Sequence, residues 1–279
     1  MKIIVLAANS DCKTNSLNVN AENGLSLFIE FDERKILFDT GQSDLFIYNA
    51  EKLGIDLSQV DYLVIAHGHF DHGGGLKHFL KINQKAKTFL HINAAHKFYT
   101  RIFGSIPYYV GPNQKIIAQK SRIYFIDEDT QINDKIILLE GFTEVFPQPE
   151  ANKALFEKTK NRFISDKFNH ELAMLLIENE EIVLFSGCSH SGIINIIEEV
   201  KLFSKTMRIK ATFGGFHINN PISKKIESPE YIDKLTEALG ETDPVLYTGH
   251  CTGEDNLRHI KGWICRKIQM MNTGEVIEV

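Results

Sequence analysis

Apolar residues in this chain fall into short runs broken by polar turns and by stretches with helical spacing. "KIIVLAA" is a β-branched run that predicts a first strand, and "LSLFIEFDERKILFDTG" predicts two strands about a polar turn. "DLFIYNAEKLG" puts Leu45, Ile47, Tyr48 and Leu53 at helical spacing and stops at Gly54. "DYLVIA" then predicts a buried strand, "GLKHFLKI" a helix and "KTFLHI" another strand. Alternation of this kind predicts an α/β fold.

The second half repeats the first in outline. Set without a gap above "LAMLLIENEEIVLFSGC" (172–188), the hairpin 25–41 places its Leu37 and Phe38 over Leu184 and Phe185. Each hairpin is followed by a helical segment ("DLFIYNAEKLG"; "GIINIIEEVKLF") and a further strand ("DYLVIA"; "IKATFGG"). This predicts two similar halves within one domain spanning 1–279. If two sheets pack face to face with helices outside, Asp39, His67, Cys188 and His250 all arrive at strand ends along one edge. Residues 94–170 read as a variable insertion: strand-like "SRIYFID" and "DKIILLEG", then a lysine-rich stretch, 149–171, expected to be a long loop or helical excursion.

Composition narrows the class. A chain of 279 residues that is 43% hydrophobic can bury a substantial core. The net charge of -5, with Lys and Arg scattered singly, offers no basic stripe, so nucleic acid is not an expected partner. Cys12, Cys188, Cys251 and Cys265 form no CxxC pair, which argues against a disulfide framework and points to a reducing compartment. The run Ile3–Ala8 is cut off by Asn9, Ser10 and Asp11 before it reaches signal-peptide length, and no run approaches the roughly 18 apolar residues of a membrane span. A cytoplasmic location, no membrane partner and a small-molecule substrate are therefore expected, with homo-oligomerisation left open.

The chemistry concentrates in "VIAHGHFDHGGGL", residues 64–76. In extended chain leaving a strand, His67 and His69 point the same way and can grip one ion; Asp71 and His72 diverge and suit a second. Imidazole and carboxylate are ligands of zinc and its first-row neighbours, and burying this many polar groups without an ion is costly. Gly68 and Gly73–Gly75 are expected to let the backbone turn tightly. In "FGGFHI", His217 follows a strand and two glycines, which makes it a candidate substrate contact. Ser189 and Ser191 stand at a predicted helix start, where N–H groups can hold an anion or where they simply cap the helix. Cys188 beside His190 can also be read as a nucleophile and base, ranked below metal ligation. His78, His91, His96 and His259 are assigned ordinary polar roles.

These motifs carry a family resemblance. H-G-H-F-D-H matches the H-x-H-x-D-H signature of the metallo-β-lactamase fold superfamily, and "ILFDTG" resembles its strand ending in Asp-Thr-Gly. "AENGLSLFIE", "LFDTGQS", "AEKLGIDL", "HGHFDHGGGL", "SGCSHSGIINII", "GGFHI" and "GHCTG" together resemble the subgroup labelled 7,8-dihydropterin-6-methyl-4-(β-D-ribofuranosyl)aminobenzene-5'-phosphate synthase. The resemblance implies a four-layer αββα sandwich with one or two ions at its edge, Zn2+ or else Mn2+ or Fe2+. It carries His67, His69, Asp71 and His72 over directly as ligands, and His250 as the last ligand. Cys188 falls where a bridging aspartate is usual; His190 is an alternative or additional ligand. The usual third-histidine loop is absent, and His170, near its place, is a further candidate ligand. Asp39 is expected to orient a ligand histidine through its other ring N–H, compatibly with an Asx turn through Thr40 and Gly41.

A metal there lowers the pKa of bound water from 15.7 to roughly 7, which makes hydrolysis the default reaction. Asp71 would position the hydroxide and move the proton. The first expectation is a hydrolase of a small phosphorylated molecule, a phosphodiester or cyclic ester. The alternatives are the pterin-linked synthase, which releases diphosphate, and a metal or ligand sensor without catalysis.

Overall fold

The structure is a computed structural model that describes residues 1–11, 18–103, 105–118, 120–220 and 225–279. It divides into two compact units, Met1–Lys97 with Val110–Asp127 and Met271–Val279, and Phe98–Tyr109 with Glu128–Met270.

The first unit holds a seven-stranded sheet. Its strands are Lys2–Ala7 (β1), Ser26–Phe31 (β2), Arg34–Phe38 (β3), Tyr62–Ile65 (β4), Lys87–His91 (β5) and Ile123–Ile126 (β6), with Val276–Glu278 on the outer edge of β1. The order runs from Val276–Glu278 through β1 to β6, antiparallel as far as β3 and parallel beyond it. Helix α1 (Leu45–Lys52) links β3 to β4, and α2 (Leu76–Ile82) lies between β4 and β5. Gly54, at φ +71°, ends the α1 segment as its sequence predicts. Phe28, Leu37, Phe46, Leu63 and Phe79 belong to this unit's core.

The second unit builds the same sheet again. Thr130–Asn133 (β7), Ile136–Leu139 (β8), Ala173–Glu178 (β9), Glu181–Phe185 (β10), Arg208–Phe213 (β11), Val245–Thr248 (β12) and Ile268–Met270 (β13) lie in that order. They are antiparallel as far as β10 and parallel beyond it. Register agrees as well as order. Leu27 pairs with Phe38 in the first hairpin and Met174 with Phe185 in the second, the positions that the ungapped alignment superposes. The turn residues correspond too: Asp32 and Glu33 at φ +46° and +62°, Asn179 and Glu180 at +52° and +62°. Two successive left-handed residues match the twist of the flanking strands, as in a type I′ turn. The expectation of two similar halves is met strand by strand.

Helices α3 (Ile193–Phe203), α4 (Pro229–Glu241) and α5 (Glu254–Ile264) follow β10, β11 and β12. Ser228 caps α4 by accepting from Tyr231 N at 3.2 Å, with Pro229 in the first turn. Ile232, Leu235 and Leu239 form its buried stripe, and α3 buries Ile193, Ile196, Ile197 and Val200 in the same core.

Residues 94–170 depart from the expected insertion. β6 completes the first sheet and β7 and β8 the second, because "IYFI" and "IILL" are apolar runs that a sheet edge can bury. The polar stretch expected as loop or helix contributes Leu155–Lys158 and Phe163–Ser165, which join Phe98–Ile102 and Ile106–Tyr109 in a four-stranded antiparallel sheet.

Candidate functional site

In the first unit the candidate chemistry sits where β4 ends. His67, His69 and His72 are buried at 0%, 5% and 0% exposure, and Asp71 is partly exposed. The His67 ring lies 4.7 Å from that of His69 and 4.1 Å from that of His72. Asp39 follows β3 in the left-handed region, φ +60°, with its N–H donating to Val64 O at 2.8 Å. Its Oδ2 lies 2.6 Å from His72 Nδ1, while Oδ1 accepts from Ala66 N at 2.7 Å. Burial raises the Asp39 pKa, against the pull of His72 and the Ala66 N–H. The pair favours His72 Nδ1 as the protonated nitrogen, which leaves Nε2 as the one that could hold an ion. The Asx turn is not what Asp39 makes; Thr40 N and Oγ1 both donate to His72 O instead, at 2.7 and 2.9 Å. Asp71 Oδ2 accepts from Asn23 at 3.3 Å.

The glycines after the cluster act differently from the expectation. Gly74 and Gly75 have right-handed helical dihedrals, φ -65° and -76°. What they provide is close approach: a Cβ on Gly74 would collide with Gln42 O and Phe70 O, and one on Gly75 with Thr40 O, Ser43 O and the Phe46 ring. Their N–H groups donate to Gly41 O at 3.0 and 3.3 Å, so the Asp-Thr-Gly segment and the histidine segment are tied along their backbones.

The second unit gathers its own donors after β10, β11 and β12. One ligand atom each from Cys188, His190 and His217 lie within 4.8 Å of one another, and so do those of Cys188, His250 and Cys251. All are at most 7% exposed. His217 and His250 take left-handed dihedrals, φ +49° and +48°. Asn152 holds His190 at both ends, with Oδ1 3.0 Å from Nδ1 and Nδ2 donating to the backbone carbonyl at 2.7 Å. This leaves Nε2 as the nitrogen with which His190 could hold an ion. Phe168 stacks on the same ring at 4.5 Å. Burial would push the Cys251 thiol up, but Cys188, His250 and His217 overcome it and hold the thiol well below its ordinary value.

Ser189 and Ser191 are taken up inside the fold. Ser189 Oγ pairs with Ser186 Oγ at 2.8 Å, and in the segment that leads into the helix Glu171 accepts from His190 N at 2.7 Å and Ser191 N at 2.8 Å, while the helix itself starts after Gly192 with no side-chain cap. Burial raises the Glu171 pKa against these hydrogen bonds. His170 pairs with Asp166 at 3.1 Å and belongs to neither trio. Asn152, Phe168, Glu171 and Cys251 were missed in the sequence reading, although Cys251 stands beside His250 in the quoted "GHCTG". Cys188, Cys251 and Cys265 form no disulfide, and Cys12 lies outside the described residues.

A pocket of about 520 Å3 in the second unit is lined by Asn152, Asp166, Phe168, Tyr231, Lys153 and Lys234 among others. Its wall thus includes the two residues that hold His190.

The family model of the metallo-β-lactamase superfamily matches residues 19–149. The uncharacterized protein MJ0448 of Methanocaldococcus jannaschii is 30% identical over 241 residues, 84% of this chain and 85% of that one. The chain belongs to the metallo-β-lactamase superfamily. Its mixed α/β architecture of two repeated sheets is that superfamily's fold. The 7,8-dihydropterin-6-methyl-4-(β-D-ribofuranosyl)-aminobenzene-5'-phosphate synthase of the same organism is 27% identical, over 84% of this chain and 82% of its own. The crystal structure of Tm1679, described as a metal-dependent hydrolase of the β-lactamase superfamily, aligns with TM-score 0.83 and 30% identity over 100% of this chain and 99% of that one. No helix among the described residues is long and apolar enough to cross a membrane.

Donor chemistry fits a transition metal. An ion with Zn–N of about 2.1 Å and Zn–S of about 2.3 Å holds its ligand atoms roughly 3.4–3.8 Å apart. The second unit's trios need little closure to reach that spacing. His72 with Asp39 behind it has the carboxylate–histidine arrangement of metal-ligating imidazoles.

Proposed function

We propose that this protein is a metal-dependent hydrolase of a small, phosphorylated substrate, of the phosphodiester or cyclic-ester class. The observation that carries the reading is the His67, His69 and His72 cluster with Asp39 clamping His72, in a chain that aligns along its length with a metal-dependent hydrolase. The ions, one or two of zinc class, are held by His67, His69, Asp71 and His72 and by Cys188, His190 and His250. A bound ion supplies a Lewis acid and a water of lowered pKa. The chain's own groups do the rest. Asp39 keeps His72 in one tautomer, Asn152 does the same for His190, and the partly exposed Asp71 carboxylate accepts and returns the proton.

The test is release of nitrophenol from a bis-phosphodiester and from a simple ester by the metal-loaded protein. Turnover that His69→Ala abolishes supports the reading; no turnover on either, with His69→Ala indistinguishable from wild type, sinks it. A second reading is favoured by the 27% identical synthase. It predicts diphosphate release from the pterin methyl diphosphate only when the ribosyl aminobenzene phosphate acceptor is present; absence of that release counts against it.

A further inference from the structure

We infer that His217, expected from its sequence to contact substrate, is instead a protein ligand of the ion held by Cys188 and His190. This rests on the metal-dependent reading above and deepens it, adding one ligand to the open hydrolytic centre and removing none.

Three observations carry it. One ligand atom each from Cys188, His190 and His217 lie within 4.8 Å of one another, so a single ion reaches all three after a small closure. His217 is 5% exposed and, among the described residues, neither of its ring nitrogens has a hydrogen-bond partner, although a buried imidazole ordinarily finds one. The neighbouring imidazole is turned to suit: Asn152 occupies His190 Nδ1, and the His190 and His217 rings lie 4.0 Å apart.

The backbone fixes His217 in this position. Its left-handed conformation, φ +49°, is uncommon for a residue with a side chain and persists only where the surroundings impose it. Here the segment that carries His250 does so: Thr252 Oγ1 accepts from Phe216 N at 3.0 Å, and Cys251 Sγ from His217 N at 3.3 Å. On the next residue, Ile218 O accepts from Glu227 N at 3.4 Å. A buried ring held this firmly without a polar partner is costly unless a ligand takes one of its nitrogens.

Charge and coordination keep the centre open. As the sulfur–metal bond forms, the Cys188 thiol gives up its proton to solvent, while the imidazoles bind in their neutral form. One thiolate against a divalent ion leaves a single positive charge, which suits an anionic substrate such as a phosphate ester. Zinc in catalytic sites reaches five ligands, so a position stays open for water with His250 bound as well.

The experiment titrates Co2+ into the metal-free full chain and reads the thiolate-to-cobalt charge-transfer band, which reports only metal bound at a cysteine sulfur. His217→Ala is expected to need over about 100-fold more cobalt for the same band, beyond the 10–100-fold that losing an outer hydrogen-bond partner costs. His78→Ala, at the surface beside Asp44, keeps the wild-type curve. In His217→Gly, free imidazole in the buffer is expected to restore the band at low cobalt, a rescue that a merely structural histidine would not show. Because both variants could fail to fold, imidazole 1H–15N spectra of the unmutated chain give a second reading, with the His217 ring nitrogens expected to shift on addition of zinc. A wild-type cobalt curve in His217→Ala, or His217 nitrogens that zinc leaves unshifted, overturns the proposal; the same curve with a raised KM returns His217 to the substrate. No charge-transfer band in the unmutated chain overturns it while leaving the hydrolase reading to stand on nitrogen and oxygen ligands. The expected loss in His217→Ala without turnover of either nitrophenyl substrate by the unmutated chain supports the ligand and sinks the hydrolase; no bound metal overturns both.

Discussion

Replacing Asp39 by asparagine is the most direct probe of the first unit's donor set. Both carboxylate oxygens are engaged inside a fully buried site, Oδ2 with His72 Nδ1 at 2.6 Å and Oδ1 with Ala66 N at 2.7 Å. An amide has one acceptor, so Asp39→Asn turns an NH2 group toward one of those two donors. A buried donor left unsatisfied costs about 1–3 kcal/mol, the low end applying here because the variant no longer buries a carboxylate. Through a urea slope of about 2–3 kcal/mol/M, the low-end loss of about 1 kcal/mol shifts the unfolding midpoint of the metal-free protein down by roughly 0.3–0.5 M with the slope unchanged. Metal affinity falls about 10–100-fold, as when the carboxylate behind a ligand histidine is lost. Urea denaturation followed by circular dichroism and competition with a chelating dye read the two effects. Asp44→Asn, at the surface beside His78, is the control and changes neither. A wild-type midpoint together with wild-type metal affinity in Asp39→Asn would refute the claim that this carboxylate orients His72.

Four further outcomes are expected. Asn152→Ala removes the partner of His190 at Nδ1 and at its carbonyl, and lowers affinity for metal held by His190 about 10–100-fold in the same dye assay. Gly75→Ala lowers stability by at least about 1–3 kcal/mol in urea titration, whereas Gly73→Ala, whose Cβ meets only Ile65 at 3.8 Å, stays close to wild type. Glu33→Gly and Glu180→Gly, at the two matching left-handed turn positions, each raise stability by about 0.5–1 kcal/mol, seen as a higher thermal midpoint. Burial works against Asp61, yet the Lys35 N–H, Lys85 and Arg34 hold its carboxyl below the ordinary value. Its stabilisation is thus present above about pH 3.9 and is lost as pH falls through the lowered folded value, so Asp61→Asn costs under about 1 kcal/mol at pH 7 and nothing once acid has protonated the native carboxylate.

Local chemistry made the repeated sheets readable. The hairpins at 25–41 and 172–188 alternate about acidic turns, and their strands are apolar enough that burial sets the register. The histidine cluster was legible because its members are neighbours in sequence, and Asp39 because it ends the adjoining strand. Cys251 and Asn152 were not, since what gives each a role is a partner 63 or 38 residues away, Cys188 and His190 respectively. Residues 94–170 misled for a related reason. Short apolar runs in a polar background resemble an excursion until the sheets that accept them are known, and β6, β7 and β8 are edge or near-edge strands whose partners lie far along the chain or depend on it. The glycines show a subtler limit. Three in a row after the histidines invited an argument from dihedral freedom, but Gly74 and Gly75 lie in ordinary helical space and are small because the Thr40–Ser43 backbone runs against them. The two most telling motifs of the sequence therefore explain each other: the Asp-Thr-Gly segment orients His72 with its first residue and pins the glycines with its last, and a Cβ in the wrong place would separate the carboxylate from the imidazole it steers.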